Sequence, residues 1–280
     1  MTAPNPTLDS PHQTKPPTTG ADKGQVFSLR PLPGRKAPII AVIGCDGSGK
    51  STLTEWLYEQ AAQRYPTALC HLGKQGGNLG RQVMAWPILG PLIKKKSHTE
   101  RAKRKKGATA SASVLLVTLG LLLRRFARFS KMKTHLAKGE CIITDRFPQL
   151  NRPGPMDGPT FPKFTGDNLA LRSLKRFEEH LYKFMLNTPP DIIIRLDIDL
   201  ETALARKPDH DGERLACKIA DLPHIKLQRP AALGGGSVPI VAIDGTLPLE
   251  SVQASALKVL DAALASYGLS PAAPCRNRHP

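Results

Sequence analysis

The sequence predicts an α/β fold in which a parallel sheet is covered by helices on both faces. Two observations carry this expectation. Short apolar, β-branched runs alternate with longer segments of helical period, and strands that alternate with helices pair in parallel. The first such run, Ile39-Ile40-Ala41-Val42-Ile43, passes through a glycine-rich turn into a helical segment. A continuous apolar run of that kind is what a strand buried on both faces requires.

The remaining elements follow in order. Residues 50–64 carry Leu53, Trp56, Leu57 and Ala61 at helical spacing. Residues 67–72 read as a second, weaker strand and Cys141-Ile142-Ile143-Thr144 as a third. Residues 168–187 read as a helix with Leu169, Leu171, Leu174, Phe177, Leu181, Phe184 and Met185 turned inward. Residues 191–198 form a fourth strand, residues 200–205 begin a helix, and Val238-Pro239-Ile240-Val241-Ala242-Ile243 is the last strand. Residues 249–267 form an amphipathic closing helix, and no internal repeat is present. Residues 1–36 are rich in Pro, Thr, Ser and Asn without a hydrophobic period, which predicts a disordered arm. The domain is expected over 37–270, starting at Ala37-Pro38, with a flexible tail over 271–280.

Composition bounds the function classes. With 280 residues, 40% hydrophobic and 22% charged, the chain can build one α/β domain with an ordinary core. Aromatics are only 5%, so that core is aliphatic. Forty Lys and Arg face 23 acids, a net charge of +17 that favours anionic partners: nucleotides, nucleic acid or an acidic membrane surface. The five cysteines, Cys45, Cys70, Cys141, Cys217 and Cys275, are scattered and form no CxxC pair. That pattern argues against a disulfide framework or zinc site and for a reducing, cytoplasmic setting. The first residues lack a basic segment leading into an apolar stretch, so no secretory leader is expected.

Chemistry enters at Gly44-Cys45-Asp46-Gly47-Ser48-Gly49-Lys50-Ser51-Thr52. This run fits G-x-x-x-x-G-K-[ST], with a strand before it and a helix after it. Gly44, Gly47 and Gly49 let backbone N–H groups, with Ser48 and Thr52 among them, close around a phosphate chain. The opening helix adds its partial positive charge. Lys50 is expected on the β- and γ-phosphates of ATP, and Ser51 on Mg²⁺.

With that loop placed, a wider likeness emerges. The run from Ile43 to Thr52 resembles the G-x-D-G-x-G-K-[ST]-T loop of thymidylate kinases. Ile142-Ile143-Thr144-Asp145-Arg146-Phe147 resembles their strand-ending D-R-[YHF] motif, and Pro190-Asp191-Ile192-Ile193-Ile194-Arg195-Leu196-Asp197-Ile198-Asp199 their P-D-x-x-x-x-L-D-[VI] strand. Ile243-Asp244-Gly245-Thr246, followed by Leu249-Glu250-Ser251-Val252, is similar to their last strand and final helix. The four matches keep the family's order across residues 37–268. The resemblance implies a three-layer P-loop NTPase fold of the nucleoside-monophosphate-kinase type, with a five-stranded parallel sheet and a lid, here at 205–228. It also implies roles. Asp46 would lie near the acceptor's sugar hydroxyl. Asp145 would be the acid on the metal side, and Arg146 would clamp the acceptor phosphate. Arg206 and Lys207 would be lid cations.

The acceptor side departs from that family. Its R-E-P segment after the second strand is replaced by His71-Leu72-Gly73-Lys74-Gln75-Gly76-Gly77, where Lys74 is the candidate anion contact. Its base-holding helix is replaced by Pro148-Gln149-Leu150-Asn151-Arg152-Pro153-Gly154-Pro155-Met156-Asp157-Gly158-Pro159, too rich in Pro and Gly to be helical. The lid carries Asp209, His210, Asp211 and Glu213 and lacks an R-x-x-x-R pair. His210 has the chemistry for metal or proton transfer, although a lone loop histidine is ordinarily solvated.

A basic and apolar insert spans about 92–135. Lys94, Lys95, Lys96 and the cations of 101–106 precede an uncharged stretch over 107–123, and Arg124, Arg125, Arg128, Lys131 and Lys133 follow it. The uncharged stretch falls short of the ~20 apolar residues of a membrane span. A crossover helix is required before the third strand, and the resemblance implies that it lies in a homodimer interface. Apolar residues flanked by Lys and Arg also suit an anionic membrane surface, peripheral at the inner membrane. Nucleic acid is disfavoured because no aromatic platform interleaves the charges. Two functions remain: a kinase using Mg-ATP on dTMP or another nucleotide, or on a sugar or polyprenol at the membrane, and an ATP-binding, membrane-associated regulator that transfers nothing. An alcohol acceptor would need a carboxylate base, Asp46 or Asp145, and a phosphate acceptor would not.

Overall fold

The structure is a computed structural model that describes residues 29–73, 112–154, 156–166 and 169–269. Lys74, the basic runs at 94–106 and most of the N-terminal arm lie outside the described residues. Five strands form one parallel sheet: β1 (Ile39–Gly44), β2 (Thr67–His71), β3 (Cys141–Asp145), β4 (Ile192–Asp197) and β5 (Ile240–Asp244). Their spatial order is β2-β3-β1-β4-β5. The α-helices among the described residues are α1 (Lys50–Ala62), α2 (Ala112–Ala137), α3 (Leu169–Leu186), α4 (Leu200–Arg206), α5 (Gly212–Asp221) and α6 (Leu249–Ser266). This is the three-layer arrangement that the alternating pattern predicts.

β1 is central and wholly buried, and its side chains divide the protein into two cores. Ile39, Ala41 and Ile43 face Phe129 and Met132 of α2 and Tyr182 and Met185 of α3. Ile40 and Val42 face Leu53 and Leu57 of α1 and Ala256, Val259 and Leu260 of α6. The period-2 alternation of a strand thus assigns each residue to one helical layer. The register Val42↔Asp145 sets the end of β3 beside the end of β1, where the glycine-rich loop departs. Ligand sites in open parallel sheets lie at these carboxyl ends.

Several boundaries moved for physical reasons. The β5 ladder starts at Ile240, because Pro239 has no N–H to give and the Val238 N–H donates to the Leu227 carbonyl at 2.9 Å. β4 stops at Asp197, and Asp199 caps α4 by accepting from the Thr202 N–H. Helix α3 is rotated from the expected face: Leu169, Phe177 and Phe184 are exposed, while Leu171, Glu178, Tyr182 and Met185 are buried. Glu178 turns inward because its carboxylate accepts the Thr160 and Phe161 N–H groups at 2.8–2.9 Å, satisfying the end of the Pro- and Gly-rich loop. That loop is non-helical in its described residues, as its composition requires. Helix α2 is the crossover before β3; Leu122, Arg125, Phe129 and Met132 form its buried stripe. Among the described residues, no helix is long and apolar enough to cross a membrane.

Residues just ahead of β1 also pack against the edge of the core. Leu32 is buried, and Arg35 donates to Asp191 at 2.8 Å and to the Pro189 carbonyl at 2.6 Å. Asp191 further accepts the Ile39 N–H at 2.8 Å and the Tyr267 hydroxyl at 2.6 Å. One buried carboxylate therefore ties the segment before β1, the start of β1 and the end of α6. Deleting it leaves the Arg35 guanidinium buried without a counter-ion. Asp191→Ala is expected to destabilise the protein by about 3 kcal/mol, and Tyr267→Phe by about 1 kcal/mol, as read from urea denaturation.

Candidate functional site

The loop between β1 and α1 is built by backbone conformation. Gly47 and Gly49 have φ of 87° and 82°, a left-handed geometry that a side chain disfavours. Lys50 is buried at the helix start, its Nζ donating to the Cys45 carbonyl at 3.0 Å and lying 3.7 Å from Asp46. Burial pushes the Lys50 amine down, and the nearby Arg146 cation adds to the effect. Ser48 Oγ is buried without a hydrogen-bond partner. Ser51 and Thr52 are exposed at the first turn of α1.

Asp46 is the meeting point of the site. Its carboxylate accepts from Arg146 Nη2 at 2.9 Å and from Lys218 of α5. Burial alone would raise this carboxyl, but the Lys218, Lys50 and Arg146 cations outweigh it and hold it well below the usual carboxylate range. Arg146 has φ of 69°, unusual for a side-chain-bearing residue. Its N–H donates to the Val42 carbonyl at 2.8 Å, and its Nη1 reaches Asp157 at 3.3 Å. Burial by itself would lower the Arg146 pKa, yet Asp157, Asp46 and Asp145 together raise it, so the guanidinium stays charged.

Asp157 stands on a buried pedestal. Arg125, only 1% exposed, donates to the Asp157 carboxylate at 3.3 Å, to its carbonyl at 3.1 Å and to the Tyr182 hydroxyl at 2.8 Å. The Tyr182 hydroxyl donates in turn to the Gly158 carbonyl at 3.1 Å. Asp157, also at positive φ (62°), is thereby fixed before it meets Arg146. Gly73, at the end of β2, lets the Arg146 side chain pass: a Cβ there would lie 2.5 Å from Arg146 Cδ.

The expected residues therefore do not all meet at one point. Lys50, Asp46 and Arg146 come together, and Asp145 lies beside them with one carboxylate oxygen 3.5 Å from His71 and the other, Oδ1, buried and unpartnered. Arg206 instead braces the loop's outer side, donating to the Gly47 carbonyl at 3.3 Å and the Gly245 carbonyl at 2.9 Å. Lys207 caps the end of α4 and is exposed. Within the segment expected to form a lid, the cation that reaches Asp46 is Lys218 of α5, which carries no motif; its one sequence signal is its place on the amphipathic stretch after the acidic segment. Asp157 and Arg125 were likewise not legible as site residues. The His210 ring meets Asp209 at 3.3 Å, and the described residues hold no cluster of metal-ligating side chains.

A glycine-rich loop on the central strand of a 2-3-1-4-5 parallel sheet, closing on a buried lysine, defines a P-loop NTPase fold. The chain belongs to the family of the Escherichia coli ATP-binding proteins YghS and YghR. It is 35% identical over 229 residues to the uncharacterized ATP-binding protein YghS of strain K12, covering 81% of this chain and 93% of that one. It is 34% identical over 236 residues to the uncharacterized ATP-binding protein YghR of the same strain, covering 82% and 89%. No protein-family model matches the chain. Among solved structures, the deoxyadenosine kinase of M. mycoides with bound dATP is 16% identical, covers 80% of this chain and 98% of that one, and aligns with a TM-score of 0.39. The strand order and the loop geometry of this chain define its fold.

The state of Asp46 gives a test by pH. Its depressed carboxyl contributes stability that is present above the ordinary value of 3.8 and is lost as pH falls toward the folded value. The stability difference between the wild type and Asp46→Asn should therefore shrink on acidification below about pH 4, as measured by denaturant titration across pH.

Proposed function

We propose that this protein is an ATP-dependent phosphotransferase that moves the γ-phosphoryl group of Mg-ATP to a small acceptor beside Arg146. The observation that carries the reading is the convergence of Lys50, Arg146 and Lys218 on Asp46 at the carboxyl ends of β1 and β3. Phosphoryl transfer makes few covalent demands on a protein; it needs cations around the equatorial oxygens and a fixed line of attack. Cations from the loop, from β3 and from α5 converge here from three directions. The names of the YghS and YghR relatives, which describe ATP-binding proteins, support the donor.

In this reading Lys50 leaves the Cys45 carbonyl for the β- and γ-phosphates, and Lys218 shifts from Asp46 to the transferring group. Arg206 keeps the loop's outer carbonyls in place. Ser51 and the unpartnered Oδ1 of Asp145 fit a magnesium ion, which when bound neutralises charge on the β- and γ-oxygens. The acceptor oxygen forms its bond to the γ-phosphorus as the bond to the β-phosphate oxygen breaks, and ADP leaves. A nucleotide such as dTMP is the acceptor class that the thymidylate-kinase resemblance favours. A phosphate acceptor requires no base, which suits an Asp46 whose oxygens are already engaged. A sugar or polyprenol acceptor would need a base and has only Asp145 left to supply it.

The exposed Leu116, Val117 and Leu123 of α2 and Leu169, Phe177 and Phe184 of α3 support a homodimer formed through that layer. The free thiols of Cys45, Cys70, Cys141 and Cys217 suit the cytoplasm.

The experiment is a screen with γ-labelled ATP against thymidylate, other nucleoside monophosphates, nucleosides, sugars and polyprenols. With the acceptor that takes label, Lys50→Ala is expected to lower turnover by at least ~100-fold. Full activity in that variant would reject the reading. ATP binding without transfer to any acceptor would favour a regulator instead.

A further inference from the structure

Helix α2 places three arginines within one turn: Arg124, Arg125 and Arg128. Arg125 is committed to Asp157 and Tyr182. Each Asp157 carboxylate oxygen already faces an arginine, Oδ1 meeting Arg125 and Oδ2 meeting Arg146. Arg128 is thus left with a neutral partner, the Gly73 carbonyl, to which its Nη2 donates at 2.8 Å. Its Nε and Nη1 are shielded from solvent and have no hydrogen-bond partner. Burial, followed by repulsion from Arg124 and Arg125, pushes the Arg128 pKa down, with Asp157 alone opposing.

A shielded guanidinium with unmet donors and no counter-ion is costly unless a ligand completes it. The position of Arg128 identifies which ligand. Gly73 is the residue that both arginines share: its carbonyl pins Arg128, and its missing side chain gives Arg146 room. Gly73 lies at the β2 end, next to Asp145, whose carbonyl accepts the Leu72 N–H at 3.0 Å. The two guanidiniums therefore flank one glycine on the side of the site away from Arg206 and the outer face of the loop. Two planar cations approaching from a helix and a strand end suit the oxygens of a phosphate group.

We propose that Arg128, with Arg146, forms a phosphate seat around Gly73, and that the acceptor is held there by a phosphate monoester group. This rests on the phosphotransferase reading given above. Arg128 adds donors at Nε and Nη1 that have no partner, whereas each terminal nitrogen of Arg146 already gives one of its two N–H groups to Asp46 or Asp157. The seat also replaces the arginine that the segment after β2 lacks, with a cation from α2 instead of the strand end.

The test uses the full chain and inorganic phosphate as the probe, titrated calorimetrically with saturating Mg-ADP so that the P-loop is filled. Wild type is expected to bind phosphate. Arg128→Gln is expected to bind it at least tenfold more weakly while keeping Mg-ADP affinity and thermal stability, and Arg128→Lys to recover part of the loss. Lys50→Ala should show the reverse pattern, weak Mg-ADP binding with the phosphate seat intact. Equal phosphate affinity in wild type and Arg128→Gln, or no phosphate binding to wild type, would overturn the proposal even where Mg-ADP binds. If Mg-ADP does not bind wild type, the donor reading fails by itself. The comparison at Arg128 is then made in the Lys50→Ala background, where the loop does not compete. Acetate and sulfate serve as controls: a seat for phosphate monoesters should prefer phosphate to both, and equal affinity for acetate would replace it with a general anion site. If Arg128→Gln does not fold, protection of Arg128 from phenylglyoxal by phosphate, mapped by peptide mass, gives the same decision on wild type.

Discussion

The site depends on one carboxylate. Asp46 holds together groups from three separate parts of the fold: Lys50 from its own loop, Arg146 from the end of β3 and Lys218 from α5. Without an anion among them these cations repel one another, and in a partly buried place that repulsion is little screened. Asp46 gathers them in advance, so the site does not have to assemble its charge when a ligand arrives. Such preorganisation is where electrostatic catalysis gains most. It also carries a cost under the proposed function: a phosphate would have to compete with Asp46 for Lys218.

A second carboxylate does for direction what Asp46 does for charge. Asp157 receives Arg146 at one oxygen and the fully buried Arg125 at the other. Buried ion pairs seldom add net stability, because desolvation offsets attraction. Their effect here is geometric. The Arg125–Tyr182 pair fixes Asp157, Asp157 and Asp46 fix the two ends of the Arg146 guanidinium, and Gly73 leaves space for its stem. Helix α3 pays for this arrangement by turning Tyr182 and Glu178 inward and leaving Phe177 in solvent.

How much of this was legible in the sequence follows from how local each signal is. The phosphate loop is contiguous, so its spacing shows both the turn and the lysine. The strands were legible because burial on both faces demands uninterrupted apolar runs. Asp145-Arg146 could be read from a strand end followed by an ion-pairing dipeptide. Asp157, Arg125 and Lys218 could not: Asp157 meets Arg146 across 11 positions, Arg125 meets Asp157 across 32 and Lys218 meets Asp46 across 172, and none lies in a distinctive local pattern. The orientation of α3 failed for a related reason. Apolar periodicity assumes that a buried face is apolar, and Glu178 and Tyr182 are buried to satisfy a loop that no helical period describes. Arg35 and Leu32 were hidden inside a segment whose average composition is that of a disordered arm.

The same locality explains why the donor and acceptor sides differ in how firmly they can be read. A triphosphate is gripped mainly by backbone N–H groups, and the backbone needs only glycines at set positions, a requirement that a motif expresses well. In the proposed reading an acceptor would be gripped by side chains drawn from β3, α2 and the loop after β3, and several combinations of cations can meet one phosphate equally well. Losing an arginine after β2 does not empty the site if α2 can send Arg128 to the same glycine. The conserved quantity in such a site is the field at the carboxyl edge of the sheet, set by where the cations end and not by which element each one starts from. Under the proposed function a change in the arginine's origin is therefore compatible with unchanged chemistry, whereas Asp46 has no substitute, since no other carboxylate among the described residues touches Lys50, Arg146 and Lys218 together.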